Sequence, residues 1–449
     1  MKKAPETLNC NRLVRNTDRS CYCGFTGADW KNCQGGCHSC VEVPLAEKLL
    51  GQQSMKRQNQ YIQEIRSALR ADQAALALGA GISIPMGMPN WQALISQMAG
   101  HALKYQDYRS HYDNQPSEAE DHARLSQLEK ELIEQNLTLF NGINVLESGQ
   151  YIAQTLGNFK VRKSGEELMK EIISVIVENS RKPQDFLANW LKENPEYGKT
   201  EESDKPDESK KEEMLQALAR SASLCAAAYL LRAKNGFRRV LTYNFDTLVE
   251  EYLVKMFEVA PDRIVSYPGD WSTHCTKAAK DSIHIFHVHG CIPRKESQQD
   301  PSLNFLEESQ NIVLSEDSYY DTERYEAYNW LNSIQSYYLN RNSCVFVGFS
   351  ADDYNFRRIL RQLGDPNAQR ANRPKHYLIL TIDELVKDTW VSICRSHVPR
   401  GTTLEDVRSD TLVLLQKILH MKENYWMRYG FYPIWVSIND IPQTLLSLL

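Results

Sequence analysis

The run Ala74-Ala75-Leu76-Ala77-Leu78 leads straight into Gly79-Ala80-Gly81-Ile82-Ser83, and Pro85-Met86-Gly87-Met88-Pro89-Asn90-Trp91 then opens a helix. A short apolar run bounded by a turn suits a buried strand. Glycines at a strand-to-helix turn let the backbone approach a phosphate, and the next helix offers free N–H groups and a positive dipole end. The third glycine of the usual dinucleotide fingerprint is missing, because Ser83-Ile84 follows, and no acidic residue sits clearly about 20 positions on to grip a ribose. Alone, the loop also reads as a tight turn with no ligand.

The same punctuation recurs from about residue 237. Arg239–Thr242 reads as a strand ending in Tyr243-Asn244-Phe245-Asp246, Ile283–Val288 as one ending in His287-Val288-His289-Gly290, and Cys344–Val347 as one ending in Gly348-Phe349-Ser350-Ala351-Asp352-Asp353. Further strands are expected at Arg263–Val265, Tyr377–Leu380 and Pro433–Val436. Helices are expected at Asp246–Phe257, Ser315–Asn340, Asp353–Leu363 and Ile441–Leu449. Alternation of this kind predicts an α/β fold, a Rossmann-like parallel sheet covered by helices. Such sheets bind ligands at the carboxyl ends of their strands. Asn244 and Asp246 then either project into one crevice or cap a helix. Strand alternation puts His287 and His289 on one face, where a histidine can titrate near neutrality and reach a ligand or simply be satisfied structure. Gly348 and Ser350 suit a phosphate or ribose contact, or a plain turn with Asp352 as N-cap.

Length and composition set wider bounds. The 449 residues allow two or three domains or one large elaborated one, and 42% hydrophobic with 24% charged residues supports a sizeable core. A net charge of -5 gives no basic footprint, so no direct nucleic-acid binding is expected. No apolar run reaches the roughly 18 residues of a membrane span, and no apolar stretch follows Lys2 and Lys3, so a cytoplasmic protein without a membrane partner is expected. Met55–Ala71 reads as a helix. Residues 105–236 look helical, with Leu125, Leu128, Leu132 and Ile133 at helical spacing, except that 192–214 is too polar to bury a core and reads as a mobile loop.

Of 11 cysteines, Cys10, Cys21, Cys23, Cys33, Cys37 and Cys40 crowd near the N-terminus beside His38. Cys37-x-x-Cys40 has zinc-ligand spacing and Cys21-x-Cys23 could supply the other half of a structural site. The cysteines could equally be packed under a short flap; disulfides are disfavoured in a cytoplasmic chain. Cys225, Cys275, Cys291, Cys344 and Cys394 read as buried small hydrophobes.

Taken together, a G-A-G-x-S loop, an N-x-D segment, an H-G histidine and a late G-x-S turn, in that order, resemble the sirtuin family over roughly residues 60–449. The resemblance implies one NAD-binding domain over 56–449, with a helical insertion at about 105–236 and a Cys-rich segment at 1–55. It implies that Gly79, Ala80, Gly81 and Ser83 line the NAD phosphates. Asn244 would hold the nicotinamide ribose and the reacting water, and Asp246 the carboxamide. His289 would be general base toward a ribose hydroxyl, and Gly348 and Ser350 would contact the phosphates or the adenosine side. Two departures stand out. Deacetylating sirtuins carry four zinc cysteines after the H-G motif, where this chain has only Cys291 nearby. Their P-D-F-R sequence is here Pro89-Asn90-Trp91-Gln92. These departures look like the bacterial sirtuin-like proteins of antiphage defence, which deplete NAD, and Tyr429–Trp435 is similar to the final strand of that subfamily. The implied activity is an NAD hydrolase (an NADase) releasing nicotinamide and ADP-ribose. The alternatives are an NAD- or ADP-ribose-binding regulatory module without turnover, or a protein deacylase. The implied partners are further copies in a homo-oligomer, an ATPase of the HerA type, and a phage component as trigger. The chemistry is compatible: nicotinamide leaves already cationic, so the site must orient water and spread positive charge rather than supply a strong acid.

Overall fold

In the computed structural model the described residues are 13–15, 21–23, 45, 48–50, 55–105, 148–149, 152, 154, 165–198, 208–268, 281–309, 312–314, 326–350, 353–362, 373–395 and 404–449. The chain divides into two compact units, one of Ala68–Gly364 with Leu449 and one of Met1–Ser67 with Asp365–Leu448.

Near the N-terminus β1 (Leu13–Arg15) pairs antiparallel with β2 (Cys21–Cys23). Helix α1 (Met55–Arg70) leads into the Ala68–Gly364 unit. There β3 (Ala74–Leu78), β4 (Arg239–Thr242), β5 (Ile264–Tyr267), β6 (Ile283–His287) and β7 (Ser343–Val347) lie in the order β5-β6-β4-β3-β7. All neighbours are parallel, with Leu76 opposite Val240 on one side and Val345 on the other. This is the expected Rossmann-like α/β architecture. Every residue of β3 is buried. A strand covered on both faces reads as a continuous apolar run rather than an alternating one, which is why the sequence shows it so plainly. The chain leaves β3 toward β4 on one side and returns as β7 on the other, so the ends of β3, β4 and β7 mark the switch point at which such sheets generally bind ligands.

Helix α2 (Trp91–Tyr105) starts where Asn90 Oδ1 accepts the Ala93 N–H at 2.8 Å. The described part of the expected insertion is helical: α3 (Gly165–Glu178), α4 (Pro183–Glu193), α5 (Glu208–Ser221) and α6 (Ser223–Arg232). Leu125, Leu128, Leu132 and Ile133 lie outside the described residues. The expected loop at 192–214 is corrected in part. Lys192 and Glu193 end α4, and Glu208–Met214 forms the first turns of α5. Composition hid an amphipathic pattern here. Leu215, Leu218 and Ala219 of α5 are buried, while Glu212 accepts the Tyr229 hydroxyl at 2.5 Å and pairs with Arg232 at 3.0 Å. Helices α7 (Leu248–Lys255), α8 (Glu326–Arg341) and α9 (Tyr354–Gln362) belong to the same unit, as does a short helical turn at Lys295–Gln299. The first part of the helix expected at 315–340 lies outside the described residues.

Arg294 ties the helical layer to the sheet. It is almost fully buried and donates to Glu251 Oε2 at 2.9 Å, to the Val177 carbonyl at 3.3 Å and to the Arg181 carbonyl at 3.1 Å. Burial outweighs the guanidinium and pushes the Glu251 carboxyl up, to about 7. A folded-state value above the ordinary 4.5 favours the fold fully below about pH 4.5, and this contribution is lost as pH rises through about 7. The contribution is on the order of 3 kcal/mol. Glu251→Gln keeps a partner for Arg294 without the titration. The stability difference between wild type and Glu251→Gln, followed by thermal melts across that window, is therefore expected to move against the wild type as pH rises. A difference independent of pH would contradict this.

In the second unit β8 (His376–Thr381) pairs parallel with β9 (Phe431–Val436), His376 opposite Phe431. Between them run α10 (Asp383–Arg395) and α11 (Leu404–Arg428), and α12 (Ile441–Leu446) follows β9. Leu45, Leu49, Ile382, Val386, Trp390, Leu415, Leu419 and Trp435 form the core. Among the described residues no helix is long and apolar enough to cross a membrane.

Candidate active site

Asn244 sits just beyond β4, where its backbone N–H bonds Thr242 Oγ1 at 3.2 Å. Its Nδ2 donates to the Gly79 carbonyl at 3.2 Å and to Ser83 Oγ at 3.0 Å. The Ser83 hydroxyl also lies close enough to Asp246 to favour its carboxylate, and, accepting from the amide, it keeps its own proton free for that side. Asp246 Oδ1 further accepts the N–H of Leu248, the first residue of α7, at 3.2 Å. The N-x-D segment and the G-A-G-x-S loop are thus one hydrogen-bonded unit, although some 160 residues separate them. Burial raises the Asp246 carboxyl above the usual range, and the bonds from Ser83 and Leu248 hold it down only in part. Asn244 Oδ1 is buried with no hydrogen-bond partner in the protein. A buried amide oxygen without a donor is costly, so it fits a ligand hydroxyl or a water.

The loop's glycines are explained by a second loop. Gly79 N–H donates to the Val347 carbonyl at 3.0 Å and Gly81 N–H to the Gly348 carbonyl at 2.9 Å. A Cβ on Gly79 would lie 2.5 Å from the Gly348 oxygen, and one on Gly81 2.7 Å from the Gly348 Cα. The Ile82 and Ser83 amides are given to the Gly79 and Ala80 carbonyls. These inward bonds leave Ala80, Gly81 and Gly348 half-buried and Ser350 exposed as the outer side of the two turns.

His289 lies in the turn after β6, with Nδ1 3.3 Å from the Tyr243 carbonyl and Nε2 3.4 Å from Asp353 Oδ2. Its ring meets Trp91 edge-on, with centroids 5.7 Å apart. Strand β6 ends at His287, so the expected shared face for the two histidines is corrected. His287 turns to Glu250 on α7, and His289 to Asp353 and Trp91. The turn that follows β6 breaks the alternation on which that expectation rested. The helix-capping role expected of Asp352 belongs instead to Asp353, whose Oδ1 accepts the Phe356 N–H at 2.6 Å; Asp352 lies outside the described residues. Asp353, which partners His289 through its other oxygen, was not singled out by the sequence beyond its place in the late turn motif. A carboxylate so placed can stabilise an imidazolium, which suits a histidine that takes up a proton.

Asn244, Asp246 and His289 are 6%, 4% and 1% exposed. Of the body cysteines, Cys225, Cys291 and Cys344 are buried, and burial pushes each thiol up. Cys275 lies outside the described residues. Among the described residues no group of His, Cys, Asp or Glu could hold a metal ion. The candidate zinc residues Cys37 and Cys40 lie outside the described residues, and of Cys21 and Cys23 only the strand they form, β2, is described.

A parallel α/β sheet with Asn, Asp and His at neighbouring strand ends has the layout of a candidate ligand site of the Rossmann type. A family model for the SIR2-like domain matches residues 238–394, which include Asn244, Asp246, His287, His289, Gly348 and Ser350 but not Gly79–Ser83. The match supports a sirtuin-like family and, with it, NAD binding and an NAD-related enzymatic activity. No curated protein matches the chain.

Proposed function

We propose that this chain is an NAD hydrolase that cleaves the nicotinamide–ribose bond and serves antiphage defence by depleting NAD. The observation that carries the reading is the Gly79–Asn244–Ser83–Asp246 hydrogen-bonded unit, with the unpartnered Asn244 Oδ1. Cleavage breaks the bond between ribose and nicotinamide; water adds at the ribose carbon, and nicotinamide, ADP-ribose and a proton result. Asn244 Oδ1 orients the water or a ribose hydroxyl, and Asp246 holds the carboxamide. His289 takes the proton of a ribose hydroxyl, and Asp353 stabilises the imidazolium. Ala80, Gly81, Gly348 and Ser350 offer the outward side of two turns to the phosphates or adenosine, while Gly79 and Ser83 hold Asn244.

The burial of all three catalytic side chains supports low activity at rest. Assembly into a homo-oligomer, a HerA-type ATPase or a phage component would then shift the population toward an open form. Moving it from about 1% to about 99% takes roughly 5.5 kcal/mol of differential binding. The same burial favours, as a second reading, an NAD- or ADP-ribose-binding module without turnover. Nicotinamide release from purified protein, alone and with added partners, separates the two: release upholds hydrolysis, and NAD bound but intact under every condition upholds the module.

The acid side of the rate profile should report Asp246. Its raised carboxyl protonates above the usual carboxylate range, so turnover is expected to fall on acidification earlier than an ordinary aspartate would cause. Ser83→Ala removes a bond that favours the carboxylate and should move the acid limb to still higher pH. An acid limb unmoved in Ser83→Ala would contradict the assignment.

A further inference from the structure

His287 and Glu250 form a pair that the proposed chemistry does not use. Both side chains are almost wholly buried, 0% and 1% exposed, with His287 Nε2 2.9 Å from Glu250 Oε1. Glu250 Oε1 also accepts the Ser266 hydroxyl at 2.8 Å, and Oε2 has no hydrogen-bond partner. The other ring nitrogen, Nδ1, faces the Asn244 carbonyl at 3.4 Å. Burying such a pair is expensive, and apolar side chains of similar volume would fill the space at equal or better stability. Its placement offers a reason for its presence. His287 ends β6, two residues before His289. Glu250 lies in the first turn of α7, just after Asn244 and Asp246.

We infer that His287 and Glu250 are positioning residues that lock the turn carrying His289 to the segment carrying Asn244 and Asp246. Glu250 fixes the imidazole plane through Nε2, and the Nδ1 edge of the ring then lies against the Asn244 carbonyl and limits where that backbone can go. The side-chain amide of Asn244 is thereby held against Gly79 and Ser83 while His289 keeps its distance from it. The inference rests on the proposed hydrolysis for its kinetic readout only.

The test uses the full chain with NAD as substrate. The double variant His287→Leu/Glu250→Met replaces the pair with apolar groups and leaves no orphaned charge. His287→Asn places a donor near the Nδ1 position and keeps the contact to the Asn244 carbonyl. The double variant is expected to lose kcat by about 10-fold or more with KM within about 3-fold of wild type, because positioning rather than binding is lost. Hydrogen exchange should quicken at 242–247 and 288–291 and nowhere else, and His287→Asn should recover most of kcat and of the protection. A double variant with wild-type kcat and wild-type exchange at both segments overturns the inference, as does exchange raised evenly over the whole unit. If the double variant does not fold, His287→Leu against His287→Asn decides by the same readouts. A wild type that never turns over NAD defeats the functional reading instead, and the exchange pattern still decides this one.

Discussion

Asn244→Ala is expected to reduce NAD turnover by about 100-fold or more, and His289→Ala to do the same, because positioning and proton transfer are both lost. The two differ in what else they cost. Asn244→Ala deprives the Gly79 carbonyl and Ser83 Oγ of a buried donor, which should lower stability by about 1–3 kcal/mol. His289→Ala leaves a cavity against Trp91 and Tyr243 and releases Asp353, whose bond to Phe356 N–H keeps α9 started. Both variants should therefore fold with a lowered midpoint and fail at chemistry. Thermal melts beside nicotinamide release check this. Normal turnover in either variant removes it from the mechanism. A loss of turnover that follows the unfolded fraction would reduce its role to structure.

A large stability effect is expected at Gly348. Its φ of +63° lies in the left-handed region, and a Cβ there would stand 2.6 Å from the Ile82 nitrogen and 2.9 Å from the Gly81 carbonyl carbon. Both neighbours are backbone, so no rotamer can relieve the clash. Gly348→Ala adds about 1–2 kcal/mol for the backbone conformation to about 1–3 kcal/mol for overpacking, so a loss of about 2–5 kcal/mol is expected. Gly430 provides the comparison: its φ is +83° with nothing within 4 Å of a built Cβ. Gly430→Ala should cost only the conformational part, about 1–2 kcal/mol. Denaturant midpoints measure both. Equal losses at the two positions would show that the contact between the two loops is not tight.

These glycines show what the sequence does and does not reveal. Gly79, Gly81 and Gly348 are legible as special, and a phosphate cradle is the natural reading of glycines after a strand. That two glycine loops press on each other is a long-range fact, invisible until β3 and β7 are known to be neighbours. The strands themselves are legible, since β3 and β7 are buried almost throughout and spell nearly unbroken apolar runs, and β4 and β6 carry short β-branched or aromatic apolar stretches before their turns. Helices α10 and α11 carry no comparably clear signal, and the charged start of α5 reads as a loop because its apolar stripe begins only at Leu215. Asn244, Asp246 and His289 stand out as candidates by their place after expected strands, and the roles proposed for them come from the family resemblance. Asp353 and Glu250 could not, because a carboxylate near a helix start looks like a cap until its second oxygen is located.

The central claim is that this site hydrolyses NAD. Its most direct test is incubation of the purified chain with NAD in oxygen-18 water, alone and with candidate partners, over a wide range of protein concentration. The account predicts nicotinamide and ADP-ribose in equal amounts, one heavy oxygen on the ribose of the ADP-ribose, and turnover that rises with assembly and vanishes in Asn244→Ala. NAD recovered intact under all these conditions, or nicotinamide released without labelled ADP-ribose, would contradict it.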